Sequence, residues 1–185
     1  MGAIQPDERP KVDDLTVHKA VKGDESALAK IYDTYARDIH RYILSKVGTQ
    51  LDAEDLTAQT FMAVLEALPR YRHNGQFSAW IFQIARNKIM DHFRKSKRDP
   101  LAIPLDIAYT DGTLEHVIKK QEYEQLSTLL HTLAEDEREL IRLRYVAQLS
   151  FVEIARLMKR KEDAVRKSLS RLLERLSSQM EVQNA

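Results

Sequence analysis

Residues 150–176 read SFVEIARLMKRKEDAVRKSLSRLLERL: a short apolar-faced segment, a polar break at Lys159 to Lys161, and a longer basic segment. Apolar residues three and four positions apart predict one helix on each side of the break. This is the layout of a helix-turn-helix, whose second helix enters the major groove of DNA while the first braces it. Ser150 and Glu153 have the spacing of a capping box, which predicts that the first helix starts here.

The second helix of this segment has an apolar face and a basic face. The apolar face is formed by Val165, Leu169, Leu172 and Leu176. The residues on the other face, which we expect to reach base edges or phosphates, are Arg166, Lys167, Ser170 and Arg171. Arginine suits bidentate recognition of guanine, whereas Lys161 and its two basic predecessors are better placed as phosphate contacts. The same local pattern also fits an ordinary helical hairpin, whose basic residues would form a solvated face and would not bind DNA.

Three further helices are predicted upstream. The apolar spacing between Gly23 and Gly48 indicates a long amphipathic helix. The next helix has Asp52 as its predicted N-cap and ends near Pro69. The third follows the turn signal Asn74-Gly75 and carries the apolar residues Phe77, Ile81, Ile84, Ala85 and Ile89.

These patterns predict an all-α fold of two small helical domains joined by a linker, the C-terminal domain containing the helix-turn-helix. We expect a disordered tail over residues 1–11 and a first domain over residues 12–98. Residues 99–125 contain Pro100, Pro104 and six acids against two lysines, which is typical of a flexible linker. The second domain then covers residues 126–185.

Composition agrees with this organisation and excludes several classes of protein. The chain of 185 residues is 43% hydrophobic and 31% charged, with only 5 Gly and 5 Pro, which favours helices in a globular protein. It contains no Cys, so disulfides and thiolate metal sites are excluded. The N-terminus lacks an apolar run and no later stretch is long enough to span a bilayer, so we expect a cytoplasmic protein without membrane insertion.

The net charge of +1 conceals two basic patches. In residues 86–98 six basic side chains oppose Asp91 alone, and in residues 156–175 eight basic side chains oppose three acids. A clustered excess of Lys and Arg is the electrostatic footprint of a nucleic-acid binder. The chain therefore has two separated basic patches, which are balanced by acid elsewhere.

A longer motif lies in residues 52–98, which read DAEDLTAQTFMAVLEALPRYRHNGQFSAWIFQIARNKIMDHFRKSKR. This run closely resembles the second conserved region of extracytoplasmic-function (ECF) RNA polymerase sigma factors. Residues 23–43, GDESALAKIYDTYARDIHRYI, resemble the preceding helix of that family, and residues 126–176 resemble its fourth region. The resemblance implies an alternative sigma factor that binds core RNA polymerase and promoter DNA and initiates transcription of a specific gene set.

The resemblance assigns roles in the first domain. The acidic helix that docks on polymerase contributes Asp52, Asp55, Leu56 and Gln59, while Phe61 is at least as well placed in the core. Asn87 reads an extruded base of the downstream, minus-ten element, and Arg72, His73 and Asn74 form the wall of the loop. The implied phosphate contacts are Arg86, Lys88, Arg94, Lys95 and Arg98. The spacing of Phe77 and Trp80 with Ile81 and Ile84 favours core packing for both aromatics.

In the fourth region the resemblance assigns recognition of the upstream, minus-thirty-five element to the same four residues that form the exposed face of the second helix. One departure is Lys159, which stands in the turn where the family usually has Gly. A left-handed conformation at this position would cost a non-Gly residue energy. Because small sigma factors are often held inactive by an anti-sigma protein, such a partner is also implied.

Two other classes of protein share part of this pattern. A stand-alone regulator that binds operator DNA through the same helix-turn-helix leaves the motifs of the first domain unexplained. A helical enzyme would need a site built from the six His and the many acids, but no metalloprotease, phosphate-loop, nucleophile-elbow or metal-ligand spacing is present. We assign no catalytic residue, metal or cofactor.

Overall fold

The computed structural model describes residues 11–72, 75–96 and 128–183. The predicted tail up to residue 10, the predicted linker and the loop residues His73 and Asn74 lie outside these ranges. Within them every regular element is helical, which confirms the predicted all-α fold. None of the helices in these ranges has both the length and the apolar character needed to cross a membrane.

The described residues of the first domain form four α-helices and a short 3-10 turn. They are α1 (Asp14–Val21), α2 (Glu25–Val47), α3 (Gln50–Ala67), the 3-10 turn Leu68–Arg70 and α4 (Phe77–Ser96). Aspartate caps start the first two, because Asp13 accepts from the Thr16 backbone N–H at 2.7 Å and Asp24 accepts from that of Ala27 at 2.8 Å. Gly48 ends α2 with a φ of 78°, a conformation that glycine adopts without steric cost.

The predicted N-cap of α3 was wrong. Helix α3 starts at Gln50, and the side chain of Thr49 caps it by accepting from the backbone N–H of Asp52 at 3.2 Å. Asp52 therefore lies in the first turn, where its carboxylate accepts from the Thr49 hydroxyl at 2.6 Å. A negative charge at this position is still favoured by the positive end of the helix dipole.

The core of the first domain forms where α2, α3 and α4 pack against one another. Its fully buried side chains include Tyr35, Ile39, Tyr42, Ile43, Ile81, Phe82 and Ile89. Phe61 is 8% exposed and Phe77 is 5% exposed, so both are core residues. Trp80 is partly buried and packs on Phe77 with 5.3 Å between ring centroids.

The second domain begins with helical residues 128–132 and continues through three named helices. These are α5 (Glu135–Ile141), which runs directly into a π-helical turn (Arg142–Val146), then α6 (Phe151–Leu157) and α7 (Glu162–Gln183). A separate apolar cluster holds α7 to the start of the domain: Leu129, Leu130, Leu133, Ile141, Leu172 and Leu176. The predicted periodicity of α7 is confirmed.

The two domains pack directly on each other. The π-helical turn lies against α2, and α6 lies against α4. Leu143 and Ile154 of the second domain join one continuous apolar cluster with Ile39 and Phe82 of the first. The sequence did not predict this relative placement, which brings the helix-turn-helix next to α4.

Candidate nucleic-acid and polymerase interface

The helix-turn-helix is built by a cap, a strained turn and a buried stripe. Ser150 accepts from the Glu153 backbone N–H at 3.4 Å, and Glu153 accepts from the Ser150 backbone N–H at 2.7 Å, so the predicted capping box is present. The turn between α6 and α7 places Lys159 at a φ of 54°. This is the left-handed conformation, which glycine adopts freely and which costs a lysine energy.

The four predicted residues of the recognition face are exposed on α7: Arg166, Lys167, Ser170 and Arg171. Two of them already have acidic partners on the same helix. The Arg166 guanidinium donates twice to Glu162, at 3.0 and 2.6 Å, and the Ser170 hydroxyl donates to Glu174 at 2.9 Å. Exposed pairs of this kind contribute little stability, so DNA phosphates can displace them. Lys161, at the start of the helix, is also exposed.

An aromatic ring orients Arg166, a contact that was not predicted from the sequence. Phe151, the first residue of α6, lies between two guanidinium groups, those of Arg144 and Arg166, each 4.3 Å from the ring centroid. Stacking on a ring face limits the directions that an arginine side chain samples. The only local indication of this contact in the sequence was that an aromatic residue, Phe151, directly follows the capping Ser150. An aromatic residue at that position is equally typical of the core.

The predicted minus-ten surface lies along α4. Asn87 is exposed, and its side-chain oxygen accepts a hydrogen bond from the Gln83 side-chain amide at 3.0 Å. Arg72 is exposed at the end of the described loop. Lys88 and Lys95 line a groove of about 310 Å³ between α3 and α4. Arg94 is exposed and pairs with Asp91 at 2.8 Å. His73, Asn74 and Arg98 lie outside the described residues.

Arg86 differs from the other predicted phosphate contacts. Its side chain is 35% exposed and donates to the Leu157 backbone carbonyl at 3.1 Å, at the end of α6. Its Nε lies 3.7 Å from a carboxylate oxygen of Glu139. In this arrangement of the domains, therefore, Arg86 is directed at the second domain.

The predicted polymerase face of α3 needs one correction. Leu56 is 3% exposed and belongs to the core, because it lies on the side of α3 that faces the other helices. Asp55 and Gln59 are exposed and joined by a hydrogen bond of 2.8 Å, and Asp52 is half-buried. An apolar patch among acids does exist on this helix, but it is made of other residues. It consists of Leu51, Met62 and Leu65, which are 79%, 60% and 47% exposed.

A buried polar cluster joins the two domains: Tyr42 and Lys46 from α2, with Glu139 and Arg142 from α5 and the turn after it. This interdomain cluster is centred on Glu139, which is 2% exposed. The Tyr42 hydroxyl donates to Glu139 at 2.6 Å, and the Lys46 ammonium donates to it at 2.7 Å. Burial and the Glu139 carboxylate together raise the pKa of Tyr42 well above its ordinary value. These hydrogen bonds and ion pairs join side chains of the two domains.

Glu135 extends the interdomain cluster toward solvent. It accepts from Lys46 at 3.1 Å and from Arg142 at 3.1 Å. Partial burial opposes its charge, but the two cations outweigh that effect and lower the pKa of Glu135. Within the described ranges no group of three or more His, Asp or Glu side chains is arranged to hold a metal ion.

A helix-turn-helix with an exposed basic second helix, joined to a helical bundle, defines a two-domain protein of the DNA-binding class. Two family models match the chain: Sigma-70 region 2 over residues 31–99 and Sigma-70, region 4 over residues 123–176. SigD of Mycobacterium tuberculosis, an ECF RNA polymerase sigma factor, is 32% identical over 176 residues, which are 90% of this chain and 83% of SigD. The chain belongs to the ECF RNA polymerase sigma factor family.

Another ECF sigma factor, BldN of Streptomyces coelicolor, is 32% identical over 170 residues. The match covers 85% of this chain and 64% of BldN. Among solved structures, CnrH in complex with the cytosolic domain of CnrY has a TM-score of 0.64 at 20% identity, covering 91% of this chain and 96% of that one. The sigma factor RpoE bound to the anti-sigma factor NepR from Bartonella quintana has a TM-score of 0.56 at 20% identity, covering 89% and 98%. At these identities the structures show the shared fold.

Proposed function

We propose that this protein is an alternative sigma factor that binds core RNA polymerase, recognises promoter DNA and initiates transcription of a specific gene set. The observation that carries the proposal is that one chain combines the exposed basic face of α7 with the basic, Asn87-bearing helix α4. A stand-alone regulator needs only the first of these surfaces. We propose residues 12–98 as the polymerase and minus-ten domain and residues 126–185 as the minus-thirty-five domain.

The upstream element is read by α7. Its exposed face offers Arg166 and Arg171 for bidentate contact with guanine, with Lys167 and Ser170 beside them. Lys161 binds phosphate at the start of the helix and sets the register without reading sequence. The stack of Arg166 on Phe151 supports this role, because a base-reading arginine benefits from a restricted orientation.

The downstream element is opened and read by the first domain. Asn87 has both donor and acceptor groups for an extruded base, which repays part of the few kcal/mol that unstacking costs. We propose that Arg72, His73 and Asn74, which precede α4 in the sequence, form the wall of the loop beside the base. Phosphates of the opened strand bind basic residues of α4 and of the sequence that follows it: Arg86, Lys88, Arg94, Lys95 and Arg98.

Core polymerase binds the outer face of α3. Asp52, Asp55 and Gln59 supply a polar and acidic rim, and the exposed apolar patch of Leu51, Met62 and Leu65 supplies the buried contact. Complementary charge speeds the encounter with a basic partner helix, while burial of the apolar side chains slows dissociation. Since polymerase and chromosome share one compartment, we place the protein in the cytoplasm, and an anti-sigma protein is its proposed regulator. We assign it no enzymatic activity.

Transcription in vitro tests the function. The protein is added to bacterial core polymerase and a library of genomic fragments, and transcript starts are mapped. Discrete protein-dependent starts that share two spaced sequence elements are expected. Retention of duplex fragments by the protein alone, without such starts, would instead support a stand-alone regulator.

Two variants separate the two DNA surfaces. Asn87→Ala is expected to impair promoter opening while polymerase binding is retained, because the base loses its hydrogen-bonding partner. The double variant Arg166→Ala, Arg171→Ala is expected to lose upstream-element preference by about 1–3 kcal/mol per guanine contact. Lys22→Ala, which removes an exposed cation that belongs to neither proposed surface, is the matched control. Open-complex formation unchanged in Asn87→Ala would remove Asn87 from the site.

A further inference from the structure

The Arg160 side chain, which starts in the turn between α6 and α7, lies along the surface of α7. Its Nη2 atom donates to the Ser168 hydroxyl oxygen at 2.6 Å and to the Ala164 backbone carbonyl oxygen at 3.4 Å. Its backbone is fixed as well, because the Arg160 N–H donates to the Ala155 carbonyl at 2.8 Å. Both ends of this exposed side chain are therefore held by the protein.

The anchor of Arg160 is electrically neutral, unlike those of two other arginines on α7. Arg166 pairs with Glu162 at 2.6 Å, and Arg175 pairs with Glu137 at 2.8 Å. In the part of the chain that the structure describes, Arg160 forms no ion pair. A hydroxyl accepts a hydrogen bond without cancelling the charge of the donor, and Nη2 supplies only some of the five N–H groups of a guanidinium. Arg160 is thus oriented by the protein and keeps its full charge for an anion.

Arg160 occupies the flank of α7 opposite Arg166. Successive residues of an α-helix are about 100° apart around its axis. Val165 is fully buried, so Ala164 and Arg166 lie on opposite flanks of α7, each about 100° from it. Ser168 follows Ala164 by one turn and shares its flank. The Arg160 guanidinium is bonded to both of these residues and therefore lies on that flank.

The two flanks of a recognition helix face the two phosphate backbones of the duplex. An α-helix with its side chains is about 10–12 Å across and the major groove is about 12 Å wide, so side chains on either flank come close to a strand. The exposed side chains between the flanks of α7, which are Lys167, Ser170 and Arg171, are left for the base edges. A charged, planar guanidinium on a flank matches the geometry of a phosphate group.

We propose that Ser168 is a positioning residue, which holds Arg160 where its guanidinium binds a phosphate on the side of the major groove opposite Arg166. This inference rests on the proposed function, since it concerns the upstream element that α7 reads. Arg160 then belongs to the DNA-binding surface of α7, separately from Lys159 and Lys161 of the same turn. The contact fixes the register of α7 in the groove and carries no sequence information itself.

Binding of promoter duplex over a range of salt concentrations tests the phosphate contact. The protein is used as holoenzyme with core polymerase, on a promoter mapped by the transcription assay. Arg160→Ala should weaken binding by about 10-fold or more, because a charge-assisted contact is lost. It should also reduce the slope of log affinity against log salt by about 0.9, the effect of one phosphate contact. The matched control is Arg175→Ala, at an exposed arginine of the same helix that pairs with Glu137, and it should leave both values near those of the wild type.

Two substitutions at Ser168 test its positioning role. Ser168→Ala leaves the charge of Arg160 in place but frees the side chain, so binding should weaken by about 2–10-fold with an unchanged salt slope. Ser168→Thr retains the hydroxyl and should restore wild-type affinity. In the free protein, NMR relaxation of the Arg160 Nε–H group should show greater mobility in Ser168→Ala than in the wild type. Circular dichroism confirms that each variant is folded.

A promoter fragment that ends before the upstream element locates the contact. On this fragment Arg160→Ala and Ser168→Ala should bind as well as the wild type. On the full promoter their loss of affinity should be the same for different upstream sequences, since a phosphate contact is independent of sequence. A loss that persists on the short fragment, or that depends on the upstream sequence, would overturn the inference.

The remaining outcomes separate this inference from the proposed function. Wild-type affinity and salt slope in Arg160→Ala would refute the phosphate contact. Wild-type affinity in Ser168→Ala, or unchanged mobility of the Arg160 Nε–H group, would refute the positioning role. Neither result affects the proposed function if the wild-type protein directs transcript starts. If it directs none, the proposed function fails together with the contact at the upstream element, and the mobility measured in the free protein still decides whether Ser168 holds Arg160.

Discussion

Replacing Lys159 with glycine should stabilise the protein, although it deletes a side chain. Lys159 has a φ of 54°, and a non-glycine residue pays about 1–2 kcal/mol for the left-handed conformation. Glycine removes that cost but gains conformational freedom in the unfolded chain, worth about 0.4–1 kcal/mol. The expected net effect is an increase of about 0.5–1 kcal/mol in the free energy of unfolding, or a Tm higher by about 1–4 °C.

Local contacts around Lys159 support this estimate. The side chain is exposed, so its removal opens no cavity. The turn is held by backbone groups, with Lys159 N–H donating to the Arg156 carbonyl at 3.2 Å and Arg160 N–H donating to the Ala155 carbonyl at 2.8 Å. Glycine retains both hydrogen bonds, so the substitution changes the conformational term and little else.

Urea unfolding followed by circular dichroism measures the change. The matched control is Lys167→Gly, which removes an exposed lysine from the helical interior of α7 and should cost about 1 kcal/mol. Opposite signs for the two glycine substitutions are expected. If Lys159→Gly lowers the free energy of unfolding as much as Lys167→Gly does, the assignment of strain to the turn is wrong.

Three further predictions follow from other surfaces. Met62 is 60% exposed, so Met62→Glu should leave thermal stability unchanged. It should weaken binding to core polymerase by at least about 10-fold, as judged by co-elution. Undiminished binding would show that the apolar patch does not contact polymerase. Phe151→Leu should relax upstream-element preference about as much as Arg166→Ala does, because the ring no longer orients the guanidinium; full preference in a fragment-selection assay would contradict this. The Thr16 backbone N–H and Lys30 lower the pKa of Asp13 to about 2, below its unfolded value of about 3.9, so its stabilising contribution is present above pH 4 and is lost as the pH falls toward 2. Asp13→Asn should therefore reduce the pH dependence of the free energy of unfolding over this range. If the variant keeps the same pH dependence, the Asp13 carboxylate does not contribute to it.

Local patterns in the sequence were sufficient for the helices and for the helix-turn-helix. Helix α2 was predicted from its apolar spacing and its terminal glycine, and α6 from the Ser150–Glu153 capping box, because these interactions join residues one turn apart. The start of α3 was mispredicted for a local reason. Thr49 and Asp52 can each cap a helix, and the extended backbone at Thr49 selects the first of them.

The candidate site depended more strongly on packing. Apolar residues lie on more than one side of α3, so the sequence could not show that Leu56 faces the core while Leu51 and Met62 face solvent. The four residues of α7 that were predicted to face solvent are exposed, because that helix buries the apolar stripe on its other side. The contact between Arg166 and Phe151 could not be predicted from the sequence, because it joins residues of two helices across the turn.

Composition, periodicity, capping spacing and the motif of residues 52–98 were thus enough to establish an all-α, two-domain chain and to locate a basic helix in each domain. They could not show that the domains dock, or that Glu139 bonds to Tyr42, 97 positions away along the chain. Helix formation is governed by neighbours within one turn and so leaves a repeating pattern. A contact between domains depends on the shape and charge of two folded surfaces, and it leaves no period in the sequence.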